Sequence, residues 1–166
     1  MSVWRRFRLG LDGFTFVKEP EYYAAHVVTG AVRATGLFGA LLAHMPTVVD
    51  VAVDDRHSQR SWAGEQIPLA GVQDAVSRLK GRLSSAGGVE IAVYTKDDQI
   101  TLNPQVEIFV YARSDRWREV LVRQGLVQRK VVATRSWKIG RREFEPVPDL
   151  TTDLEAAAAG LGLRSV

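Results

Sequence analysis

Two hexapeptides, VEIAVY at residues 89–94 and VEIFVY at residues 106–111, alternate apolar and polar positions. A period of two is that of a half-buried β-strand, so each hexapeptide puts Val, Ile and Val on one face and Glu, Ala or Phe, and Tyr on the other. Residues 47–54 (TVVDVAVD) alternate in the same way and predict a further strand, and residues 126–137 predict the last one. Near the start, Phe7, Leu9 and Leu11 precede Asp12-Gly13, and Phe14 and Phe16 follow it. That pattern predicts a β-hairpin over residues 1–19, with glycine accommodating positive φ at the turn, Leu11 facing Phe14 and Leu9 facing Phe16.

A helical period appears in three places. Residues 20–45 read as one long apolar helix: His26, Arg33 and His44 form a narrow polar stripe, and Val27, Val28, Leu37, Phe38, Leu41 and Leu42 occupy much of the remaining arc. After Pro68, the residues Leu69, Val72, Val76, Leu79 and Leu83 recur at three- and four-residue steps, with Asp74 and Arg78 paired at i,i+4 and Gly87-Gly88 closing the helix. Ser114 is the expected cap of a short helix that carries Trp117, Val120 and Leu121 on one face and ends at Gly125. Beyond residue 139, two prolines and a Thr152/Glu155 capping box lead into an alanine-rich helix ended by Gly160 or Gly162.

From residue 47 to 138 the predicted order is strand, helix, strand, strand, helix, strand. This order resembles the split βαβ arrangement of ferredoxin-like folds, in which a four-stranded antiparallel sheet carries both helices on one face. The expected architecture is a single α+β domain: a β-hairpin at 1–19, a long apolar helix at 20–45, a ferredoxin-like βαββαβ core at 47–138, and a C-terminal arm with a short helix at 139–166. Direct pairing of the hexapeptides would set Ala92 opposite Phe109, Glu90 opposite Tyr111 and Tyr94 opposite Glu107. The intervening TKDDQITLNPQ is long for a hairpin turn, which leaves open a tight turn at Asp97-Asp98 into an extra strand at 100–102.

Composition narrows the function classes. With 166 residues, 46% hydrophobic and 25% charged, the chain suits one soluble domain that can bury a core. The absence of cysteine removes disulfides, thiol catalysis and thiolate metal sites. The early arginines are followed by no apolar signal-peptide core, and Arg33 and His26 interrupt the apolar run from 24 to 43. The expected location is therefore the cytoplasm, with no membrane partner.

Candidate chemistry gathers on the predicted sheet face away from the helices, which would carry Asp50, Asp54, Glu90, Tyr94, Glu107, Phe109 and Tyr111. The leading expectation is a non-enzymatic, self-associating or protein-binding subunit of a larger assembly, with Phe38, Leu41, Tyr94, Phe109 and Tyr111 at the interface and no cofactor or metal. The alternative is nucleic-acid binding. RNA-recognition domains share this topology and stack bases on sheet aromatics, here Phe109 and Tyr111, and Arg129, Lys130 and Arg135 lie in a segment, 113–142, with ten basic residues against two acids. The aromatic strand lacks the basic start and glycines of that family's motif, and the neighbouring carboxylates oppose phosphate.

Two enzymatic readings complete the set. Asp50, Asp54, Glu90 and Glu107 would serve Mg²⁺ if they converged, although Tyr94 and Tyr111 are expected to occupy that space and bond to the carboxylates. The segment DDRHSQRSW, residues 54–62, holds the ingredients of a nucleophile and base in Asp55, His57, Ser58 and Ser61. Without a strained nucleophile turn it reads as a polar loop. His26 and His44 read as polar positions on the long helix.

Overall fold

The computed structural model describes residues 12–132 and 145–166. These form eight strands and four helices: β1 (Gly13–Lys18), β2 (Tyr23–Val28), α1 (Ala31–Leu42), β3 (Val48–Asp55), β4 (Arg60–Pro68), α2 (Leu69–Ala86), β5 (Val89–Tyr94), β6 (Asp98–Leu102), β7 (Ile108–Ala112), α3 (Arg116–Arg123), α4 (Pro148–Leu161) and β8 (Arg164–Ser165). The fold is mixed α+β. All eight strands belong to one antiparallel sheet in the order β1-β2-β7-β6-β5-β3-β4-β8.

The helix over residues 69–86 carries the five expected apolar residues, Leu69, Val72, Val76, Leu79 and Leu83, all buried, and the exposed Arg78–Asp74 ion pair at 3.1 Å. They share one core cluster with Leu37, Phe38, Leu41 and Leu42 of α1, Trp117 and Leu121 of α3, and Leu150, Leu154 and Ala158 of α4. Val51, Ile91, Val93, Ile100 and Val110 meet them from the sheet. The period of two then leaves the alternate residues on the opposite face.

Several expectations are corrected. The long helix over 20–45 is two elements. Residues 23–28 make β2, and the helix begins only after Gly30, whose φ of −56° and ψ of 147° are not helical. In YAAHVV the β-branched Val27-Val28 pair, followed by Thr29, favours the strand, where branched side chains pack well on a pleated surface. Phe14 accordingly pairs with Val27 and Phe16 with Ala25, while Leu9 and Leu11 lie outside the described residues.

The two hexapeptides do not pair directly. β6 lies between them, so that Ala92 faces Thr101, which faces Phe109, and Tyr94 faces Gln99, which faces Tyr111. The turn into β6 is built on Thr95, whose hydroxyl accepts the Asp97 and Asp98 backbone N–H groups at 3.2 Å each. At its other end the Asn103 side-chain oxygen accepts from the N–H groups of Gln105 (3.0 Å) and Glu107 (2.9 Å).

The polar loop expected over residues 54–62 runs into β4, which begins at Arg60. Its pairing with β3 is interrupted by a register shift between Val49 and Val51, where the Gln66 N–H donates to the Asp50 carboxylate at 3.0 Å and Gln66 takes a φ of 54°. Residues 126–132 form no strand beyond a single parallel bridge from Gln128 to Phe14, and the remainder of the expected last strand, 133–137, lies outside the described residues. Among the described residues, therefore, the sheet is not the four-stranded βαββαβ arrangement that the element order suggested. Asp115, not Ser114, is at the N-cap of α3, without a side-chain cap bond. The arm docks on its own chain: α4 starts at Pro148, four residues before Thr152, ends at left-handed Gly162, and hands on to β8 beside β4. No helix among the described residues is long and apolar enough to cross a membrane.

Candidate functional site

The sheet register defines the face opposite the helices. One row across the strands reads Thr15, His26, Phe109, Thr101, Ala92, Ala52, Ala63, Arg164. To one side lies a row through Tyr111, Gln99, Tyr94 and Asp50, and to the other Glu90 sits opposite Asp54, which sits opposite Ser61. Small side chains along the middle row leave a trough between an aromatic row and an acidic one.

At the β6–β7 end the trough opens into a cleft of about 390 Å³ whose lining includes Arg56, Glu90, Gln99, Thr101, Phe109 and Tyr111. Phe109 stacks on His26, centroids 4.3 Å apart and planes 8° from parallel, and Tyr111 runs parallel to Phe109 at 6.4 Å. Tyr22, from the β1–β2 turn, meets Tyr111 edge to face at 5.9 Å. Tyr22 is 43% and Tyr111 38% exposed, whereas Phe109 is half-buried. Burial first, then the Tyr22 hydroxyl, then the Glu90 carboxylate raise the Tyr111 hydroxyl above its ordinary value, so it is a neutral hydrogen-bond donor at physiological pH.

The carboxylates divide by partner. Glu107, 2% exposed, receives the His26 ring nitrogen Nε2 at 2.7 Å, an ion pair when the imidazole is protonated. Asp50 accepts the bulge N–H of Gln66. Asp54 accepts from the Ser61 hydroxyl at 2.7 Å, with Arg56 Nε 4.0 Å away. Glu90 makes no hydrogen bond or ion pair among the described residues. The four acids do not converge: β6 separates Glu107 from the strand of Glu90, and no cluster of three or more metal-ligating side chains occurs among the described residues.

Tyr94, Phe109 and Tyr111 lie on this face as expected. Phe38 and Leu41 do not: both are 0% exposed beneath the sheet, because the helix that carries them packs against β6 and α2. The basic candidates are dispersed. Arg129 is half-buried, with Nε donating to the Asp12 carbonyl at 2.9 Å, Lys130 is exposed, and Arg135 lies outside the described residues. Arg116 and Arg123 are bonded to Asp98 and Glu119, and Arg118 to Gln128.

In the Asp-His-Ser segment Asp55 and His57 are buried, and the Ser58 and Ser61 hydroxyls donate to Asp55 and Asp54, not to His57. Asp55, 0% exposed, accepts from the Ser58 hydroxyl (2.6 Å), the Thr151 hydroxyl (2.9 Å) and the His57 N–H (3.0 Å). The His57 ring nitrogens face the carbonyl oxygens of Gly87 and Glu145, each at 2.7 Å. His44 is exposed and meets Trp117 edge to face.

Sequence reasoning missed the His26–Glu107 pair and the cleft. Placing His26 on a helix removed it from the sheet, and direct pairing of the hexapeptides left no room for Gln99 and Thr101. Of the two pairings the sequence left open, the extra strand is the one that forms, from Asp98 to Leu102, with Asn103-Pro104 after its end. Comparison of the chain with family models, curated proteins and solved structures gave no significant match.

Proposed function

We propose that the chain is a protein-binding module whose docking surface is the helix-free face of the sheet, centred on Tyr111. The observation that carries this reading is the pair of exposed tyrosines, Tyr22 and Tyr111, set edge to face beside an open cleft on a face whose other aromatics, Phe109 and Tyr94, are half-buried. Tyrosine offers a partner a large apolar ring and a hydroxyl at low conformational cost, and anchors of this kind concentrate binding energy at interfaces. Polar groups surround the aromatic row as the rim of a docking surface does. The face needs no cofactor for this role.

The test places a photo-crosslinking amino acid at Tyr111 and, as a control, at Arg78 on the exposed side of α2, in the cell that makes the protein. The expected result is one discrete protein adduct, with a second copy of the chain or with another polypeptide, at Tyr111 and not at Arg78. Equal background at the two positions overturns the reading.

A further inference from the structure

We propose that the cleft beside Tyr111 takes a guanidinium group, presented by an arginine of the docked protein and held between the Glu90 carboxylate and the Tyr111 ring. This inference rests on the docking reading of the same face. Its first support is an electrostatic mismatch. Glu90 and Asp54 are directly opposed across β5 and β3, and like charges at such a position repel. Asp54 is relieved by Ser61 and by the Arg56 guanidinium. Glu90 has no such relief among the described residues, and its charge also bears on Tyr111. A cation seated in the cleft eases the repulsion between Glu90 and Asp54.

The lining also selects among cations. Gln99 donates its amide N–H to the Thr101 hydroxyl at 3.1 Å, which leaves its side-chain oxygen free to accept. With Glu90, the cleft thus offers acceptors to a ligand that brings only donors. Guanidinium has five N–H donors and no acceptor, and its plane stacks on an aromatic face as a tetrahedral ammonium cannot. Phe109 and Tyr111 present near-parallel rings, 8° apart, with Tyr111 the exposed one. An anionic ligand is disfavoured, since Arg56, the one cation lining the cleft among the described residues, is drawn toward Asp54.

The experiment titrates the full, isotope-labelled chain with a blocked Gly-Arg-Gly peptide and follows backbone amide shifts. Saturable shifts are expected at Glu90, Gln99 and Tyr111, weaker with the lysine peptide and absent with the citrulline peptide, which keeps the shape and loses the charge. Glu90→Gln should weaken binding about tenfold, the value of a lost charge-assisted hydrogen bond, and Arg78→Ala should leave it unchanged. Equal binding of the citrulline peptide, no effect of Glu90→Gln, or shifts at the same amides from a phosphoserine peptide or a short oligonucleotide in place of the arginine peptide would each overturn the proposal. A discrete adduct at Tyr111 without arginine binding sinks this inference alone. Arginine binding without an adduct sinks the docking reading and leaves a guanidinium site with no protein partner.

Discussion

Tyr111 ties the electrostatics of the open face to a measurable titration. Its hydroxyl is raised above 10.0 in the folded chain by burial, Tyr22 and Glu90, whereas the unfolded chain titrates near the ordinary value. Folding therefore favours the neutral phenol. The resulting stability is fully present below about pH 10 and is lost as pH rises through the raised folded value. Tyr111→Phe should remove this dependence, so the urea midpoints of wild type and variant should diverge only in alkali, with wild type falling further. Glu90→Gln should move the phenolate absorbance of Tyr111 back toward the ordinary value, and no movement would mean that Glu90 does not face the ring. A second residue, Asp55, bears on stability alone. Asp55→Ala leaves two hydroxyls and one backbone N–H without their acceptor at a site with no exposure, and should cost about 2–5 kcal/mol by urea denaturation. Asp55→Asn, which keeps one acceptor oxygen, should cost less.

The elements that the sequence made legible are those whose period survives both their neighbours and their backbone. α2 was readable because its five apolar residues all face one core, and the first hexapeptide and residues 108–111 of the second because each has one dry face, whereas Val106, with a φ of 60°, and Glu107 belong to the turn before β7. β2 was not, since residues 23–28 are apolar on both faces apart from His26, and a short apolar run fits helix and strand alike. β4 was obscured by the bulge at Asp50, which shifts its register against β3, and by Gly64 and the positive φ of Gln66. Alternation alone put Asp50, Asp54, Glu90, Tyr94, Glu107, Phe109 and Tyr111 on the candidate face. Which residues became neighbours depended on whether β6 inserted, and periodicity carries no information on that. Gly87 closes α2 with a φ of 59° and a ψ of −157° and passes beside the β6–β7 turn. A Cβ there would lie 2.9 Å from the Pro104 carbonyl oxygen. Gly87→Ala should therefore destabilise by about 1–3 kcal/mol from backbone strain alone, with amide exchange faster in β6 than in β3.

On the scale of the whole molecule, the C-terminal arm closes the helical layer. It can be held by charge or by apolar packing, and the two have different signatures. The ion pairs are exposed: Arg82 reaches Asp153 at 2.5 Å and Asp149 at 3.7 Å, and Arg60 pairs with Glu155, all with side chains between 43% and 82% accessible. Pairs so open to water contribute about 0–1 kcal/mol each and weaken with salt. Beneath them Leu150, Leu154 and Ala158 are 0%, 2% and 4% exposed, Leu154 borders a small apolar cavity together with Val51, Val72 and Ile91, and Thr151 reaches the buried Asp55. Deleting a leucine from such a site costs both its transfer free energy and the cavity left behind. Leu154→Ala should thus lower stability by about 2–5 kcal/mol, whereas Arg82→Ala should change it by about 0.5 kcal/mol or less, and molar salt should not release the arm. Urea denaturation of the two variants at low and high salt separates the mechanisms. If Arg82→Ala proves as costly as Leu154→Ala and salt abolishes the difference, the arm is held by charge, and the buried leucines only line a surface that electrostatics has already closed.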